Sequence, residues 1–103
     1  MTEISADGKY EWDSEKNEIN IRKHGLSFEQ VIPVFEDPFF LERYDREHSS
    51  EDEDRYFGLG MLQGILIVAT SYTENNRTRL ISARVATPKE KEVYDEHTKN
   101  LNR

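Results

Sequence analysis

Three strand-forming runs, residues 55–62, 65–73 and 78–85, follow one another with only residues 63–64 and 74–77 between them, which carry the turn signals Gln63-Gly64 and Glu74-Asn75-Asn76. This spacing constrains the fold more than any other feature of the chain. Connections so short cannot carry a parallel crossover, so the three runs predict an antiparallel meander. The middle run contains Ile-Leu-Ile-Val-Ala-Thr, apolar on both faces, and is therefore expected to be the most buried strand.

Helix signals surround the meander. Asp13 is a plausible N-cap for a polar helix over residues 14–24, whose only aliphatic residues are Ile19 and Ile21. Gly25 stands where that helix needs a left-handed residue to stop, with Lys23 and His24 as favourable cations in its last turn. Ser27 and Gln30 form a capping box for a second helix, with Leu26 and Val31 as its hydrophobic staple. Pro33 predicts that this helix is short or kinked and that it ends at Asp37-Pro38. A last helix opens with Thr87 as cap, Pro88 at its first position and Glu90 three residues after the cap. Glu90, Tyr94, His97 and Leu101 share one of its faces, which makes His97 a rim or packing residue.

Residues 10–12 and 39–45 read as further strands, while residues 1–9 lack periodicity and are expected to be flexible. The expected order is β-α-α-β-β-β-β-α, an antiparallel sheet with two N-terminal helices and one C-terminal helix gathered mainly on one face. That is an α+β fold in a single domain spanning residues 1–103.

The net charge of −7 is divided unequally. Residues 1–54 hold sixteen acidic and six basic side chains, a balance of −10, whereas residues 55–103 carry +3. An acidic chain is a poor non-specific nucleic-acid binder, so any nucleic-acid function has to be local. The absence of cysteine excludes disulfides, thiolate zinc sites and a cysteine nucleophile, and points to a reducing cytoplasm. No apolar run is long enough for a bilayer, and the N-terminus is polar without a signal-peptide core, so no membrane association is expected.

Positive charge enters the sheet at Arg55 and again at Arg77, Arg79 and Arg84. By the period of two, Arg79 and Arg84 face opposite ways unless a bulge intervenes. Arg84 lies at a strand end before a helix N-terminus, a place that suits an anion. The bland reading is that these arginines pair with the abundant acids or mark a solvated face. The acidic stretch with Asp45, His48, Glu51, Asp52 and Asp54 matches neither a calcium loop nor a zinc motif and reads as solvated surface. No nucleophile elbow and no phosphate-cradling glycine loop is present, and no metal or cofactor is implied.

The combination Tyr10-Glu11-Trp12-Asp13, Lys16-Asn17, Asn20, Arg22-Lys23-His24-Gly25, Ser27-Phe28, Val34-Phe35-Glu36-Asp37-Pro38, Arg55-Tyr56, Leu59-Gly60, Ile81-Ser82-Ala83-Arg84 and Thr87 resembles the BrnT family of toxins from bacterial type II toxin–antitoxin systems. The resemblance runs from about residue 10 to residue 95. It implies a RelE-like fold and a ribonuclease that blocks translation. It also implies a BrnA-type ribbon-helix-helix antitoxin, in a heterotetramer whose DNA contacts are the antitoxin's. On this resemblance Lys23, Arg55, Arg79 and Arg84 are candidates for phosphate and transition-state contacts and His24 for proton transfer. Tyr56 or Tyr72 would stack an unpaired base. One of Lys23 and His24 is expected to face the site while the other closes its helix. The competing expectation is a protein-binding module without catalysis, engaging an antitoxin or another partner through a sheet edge.

Overall fold

The computed structural model describes residues 1–102. Strand β1 (Thr2–Ile4) and strand β2 (Tyr10–Asp13) precede helix α1 (Ser14–His24). Helix α2 (Phe28–Val31) runs directly into a 3-10 helix over Ile32–Glu36. Strands β3 (Leu41–Tyr44), β4 (Arg55–Leu62), β5 (Leu66–Glu74) and β6 (Thr78–Val85) follow, and helix α3 (Pro88–Leu101) ends the order. The sheet has six strands in the order β1-β2-β6-β5-β4-β3. The fold is α+β, and three features depart from expectation.

First, the N-terminal residues expected to be flexible form an edge strand. Thr2, Glu3 and Ile4 pair with Asp13, Trp12 and Glu11 in antiparallel register, and the Met1 ammonium donates to Asp13 at 3.1 Å. All three strand residues are exposed. Hydrogen bonds rather than apolar burial hold this strand, which is why no hydrophobic alternation announced it. Second, β2 pairs with β6 in parallel, so the sheet is mixed rather than antiparallel. The intervening chain supplies the crossover that a parallel pair needs.

Asp13 accepts from Lys16 N at 3.1 Å and caps α1, while Gly25 ends it at φ 71° with its N–H donating to Ile21 O. Beyond Leu80 the edge of β6 has no strand partner. Asn20 of α1 supplies one, since its Oδ1 accepts from Ala83 N at 3.0 Å and its Nδ2 donates to Ala83 O at 2.8 Å. A buried asparagine thereby satisfies the sheet edge, and α1 continues the line of β2 along β6.

Helices cover both sheet faces, which corrects the one-sided arrangement. Leu26, Phe28, Val31 and Val34 pack with Tyr10, Trp12, Val68, Leu80 and Ala83 on the first face. Tyr94 and Val93 of α3 pack with Leu59, Ile67 and Ala69 on the second. Pro33 falls in the 3-10 segment, which tightens the second helix as its missing N–H requires.

Asp37 joins the two layers. Its Oδ2 accepts from Met61 N at 2.8 Å and from Tyr94 Oη at 2.5 Å, and its Oδ1 accepts from Phe39 N at 2.9 Å. Burial first, and the bond to Asp37 second, push the Tyr94 phenol well above its ordinary range. Asp37→Ala is expected to lower stability by about 2–3 kcal/mol, because it removes the acceptors of a strand N–H and a buried hydroxyl. Urea unfolding checks this through the transition midpoint at unchanged slope.

Candidate active site

The pairing of β5 with β6 shifts by one residue. Ser71 is opposite Ser82, yet Tyr72 is opposite Leu80, so Ile81 is an extra residue in β6. This bulge resets the alternation. Leu80 and Ala83 both enter the first face, and Arg79, Ser82 and Arg84 all come to the second. Arg55 is opposite Thr73, which is opposite Arg79, so Arg55 belongs to the second face as well.

Helix α3 covers one end of this face, around Leu59, Ile67 and Ala69, and leaves the rest open. Across the open part run the row Glu11, Arg79, Thr73, Arg55 and the row Ser82, Ser71, Phe57, Arg43. Arg84 stands in the next row beside Ala69. Four arginines thus share one sheet face. They are spread along it, with Arg55 and Arg84 separated by about 10 Å across the strands and about 13 Å along them. That geometry suits successive charges of a polyanion more than a single phosphate.

Each of the three expected arginines has an acid partner. Arg84 Nη1 and Nη2 donate to Glu90 Oε1 and Oε2 at 2.7 and 3.0 Å. Glu90 Oε1 also accepts from Thr87 N, so one carboxylate closes the capping box of α3 and fixes the arginine. The bidentate bond holds Glu90 below the ordinary carboxylate range and raises Arg84 above its own. Arg79 donates to Glu11 and lies 3.4 Å from the Thr2 hydroxyl. Arg55 Nη2 donates to Glu53 at 3.3 Å, while its Nε is buried and makes no hydrogen bond within the protein. Arg77 sits 3.8 Å from Glu11 and donates through Nε to Gly8 O, which ties it to the N-terminal turn.

Lys23 and His24 are both exposed at the end of α1, and both line a cleft of about 300 Å³ with Lys16, Ile19, Asn20, Ile81 and Ser82. Ser82 belongs to the arginine face, so the cleft borders it. Lys23 and His24 therefore both border this face.

Tyr56 and Tyr72 lie elsewhere. They are opposite one another on the first face, away from the arginines. Tyr72 is completely buried, with its hydroxyl 2.5 Å from Glu42 Oε2, and burial pushes its phenol far above the ordinary value. It packs edge-on against Phe35. The base-stacking expectation for Tyr72 is therefore corrected: this ring is core. Tyr56 is half-buried, stacked on Tyr72 and edge-on to Tyr44, and does not reach the arginine face.

In the acidic loop His48 Nδ1 bonds Asp45 Oδ2 at 2.8 Å, and Ser49 Oγ donates to Asp45 O and accepts from Arg55 N. Among the described residues no three His, Asp or Glu side chains are grouped as a metal ion would require. No helix among them is long and apolar enough to cross a membrane. Residues missed from sequence are Arg43 and the carboxylates Glu11, Glu53 and Glu90. Strand parity relative to Leu41 was the available signal for Arg43. For the carboxylates there was none, since their roles depend on pairing.

A family described as "Ribonuclease toxin, BrnT, of type II toxin-antitoxin system" matches residues 12–90. The crystal structure of the Brucella abortus ribonuclease toxin BrnT is similar at 26% identity and a TM-score of 0.56, over 74% of this chain and 92% of that one. No curated protein sequence matches the chain. The chain belongs to the BrnT family of ribonuclease toxins of type II toxin–antitoxin systems.

Proposed function

We propose that this protein is a metal-independent endoribonuclease with a RelE-like fold that blocks translation by cutting RNA. A BrnA-type ribbon-helix-helix antitoxin neutralises it and makes the DNA contacts of their heterotetramer. The observation that carries the catalytic reading is the bulge at Ile81, which turns Arg84 to the same open sheet face as Arg55 and Arg79.

RNA carries its own nucleophile. The 2′-hydroxyl attacks the adjacent phosphate, so the protein has to orient the strand, move protons and stabilise added negative charge. Arg55, Arg79, Arg84 and Lys23 hold the phosphates, and His24 at the edge of the face transfers a proton. The acid pairs do not block this role. Exposed ion pairs are worth about 0–1 kcal/mol, so a phosphate displaces or shares them at little cost. Until then they keep the guanidinium groups extended in place.

A second reading, a protein-binding module without catalysis, draws on the same pairing, since three neutralised arginines also suit a protein partner. Purified protein and RNA in EDTA separate the two. The expected result is cleavage that persists in EDTA and leaves 2′,3′-cyclic phosphate ends. Cleavage that stops in EDTA and returns with magnesium overturns the mechanism, and no cleavage under any condition favours the binding module.

A further inference from the structure

We propose that the apolar pocket between Phe57 and helix α3 holds one unpaired base of the RNA, stacked on the Phe57 ring, with the adjoining phosphates on Arg43 and Arg84; this rests on the ribonuclease reading above. The pocket has a volume of about 210 Å³ and is lined by Leu41, Arg43, Phe57, Leu59, Glu90 and Val93. It lies where the cover of α3 over the arginine face ends. Phe57 and Leu59 share a side of β4 with Arg55, and Arg43 and Leu41 are opposite them on β3, so all these side chains belong to that face. Leu59 is buried, whereas Leu41, Phe57 and Val93 keep part of their apolar surface in water. Tyr56 and Tyr72 stack on one another, but no aromatic ring among the described residues pairs with Phe57. A slot of this size fits one flat heterocycle rather than a drug-sized ligand, which needs about 300–1,000 Å³.

The charges at its rim fit the phosphates on either side of a base. Arg43 is opposite Phe57 and exposed, and it is the one arginine of this face without a carboxylate partner among the described residues. Arg84 stands at another side of the rim, because Glu90, which lines the pocket, accepts from both of its terminal nitrogens. Arg55 follows about 7 Å from Phe57 along the strand. An apolar protein side chain would fill the walls without using these guanidinium groups, whereas a nucleotide uses both. Glu90 is committed to Arg84 and Thr87 N, and Arg43 has donors only, so the side chains of the pocket leave no free acceptor to read a base edge. Every base has a face that stacks, so the pocket requires a base without selecting which one. Past Arg43 the space widens into a groove of about 470 Å³ whose lining includes Glu92 and Glu96 beside Lys89. Those carboxylates repel phosphate, so the strand turns back toward the arginines and the pocket takes a single base.

The test measures binding of full-length protein to RNA oligonucleotides methylated at their 2′-oxygens, in a set where one base at a time is removed to leave an abasic sugar. For the wild type, one position is expected at which loss of the base weakens binding about tenfold, while exchange for another base changes it far less. Phe57→Leu, which keeps an apolar side chain and is checked by a melting curve, is expected to bind intact RNA about tenfold more weakly. It is also expected to be insensitive to removal of that base, so that the two losses do not add. Arg43→Gln alters an exposed position, where folding is not at stake. It is expected to lower the slope of log affinity against log salt by about 0.7 and to remain sensitive to the base. Phe57→Leu that binds intact RNA as the wild type does, or that still loses affinity when the base is removed, overturns the base pocket and leaves it to a protein side chain. The ribonuclease reading then stands if the wild type cuts unmethylated RNA. An unchanged salt slope in Arg43→Gln overturns the phosphate contact at that rim, and a wild type that neither binds nor cuts RNA overturns both readings.

Discussion

Arg84→Ala is expected to lower RNA cleavage by about 10²–10³-fold and to abolish growth arrest on expression, while the protein stays folded. Removing one preorganised donor from a developing oxyanion has a cost on that scale. The stability effect is small by comparison. The Arg84 side chain is 39% exposed, so its pairing with Glu90 is screened by water and contributes no more than about 1 kcal/mol. Glu90 keeps its bonds from Thr87 N and to the cap of α3 after the substitution. A cleavage assay beside a melting curve checks both halves. Full activity at an unchanged melting temperature would remove Arg84 from the site.

Gly60→Ala is expected to have the largest effect on folding, a loss of about 3 kcal/mol, the upper part of the range for overpacking. A Cβ at this position would stand 2.5 Å from Val34 Cγ1 and 2.6 Å from Val34 O. The backbone oxygen cannot rotate away, so either the 3-10 helix lifts from β4 or the strand bends. For a domain of this size the change corresponds to a fall of about 12 °C or more in melting temperature. Calorimetry reads it directly, and a melting temperature within a degree of wild type would show that the layer between Val34 and β4 is looser than its geometry.

The local signals read correctly, and the non-local ones were missed. The bounds of β4, β6 and α1 and both capping boxes follow from neighbouring residues, because caps and short turns are settled within a few positions. The parallel pairing of β2 with β6 joins residues nearly seventy positions apart, and β1 is an exposed polar edge, so neither leaves a periodic trace. Asn20 shows why a polar helix is stable here: its hydrogen bonds to Ala83 do part of what an apolar stripe does elsewhere. The arginines were legible as residue types. Their common face was not, because strict alternation places Arg79 and Arg84 apart and only Ile81 reunites them. Tyr72 was misread because β5 is apolar on both faces, which hides which ring points into the core.

An amide chemical-shift titration shows whether RNA binds the shared arginine face. The probe is RNA methylated at its 2′-oxygens, which binds but cannot be cut. Perturbations are expected at Lys23, His24, Arg55, Ser71, Thr73, Arg79, Ser82 and Arg84, weakening as salt is raised because the contacts are to phosphate. Perturbations confined to Tyr44, Tyr56 and the opposite face of the sheet would show that RNA does not bind the arginine face.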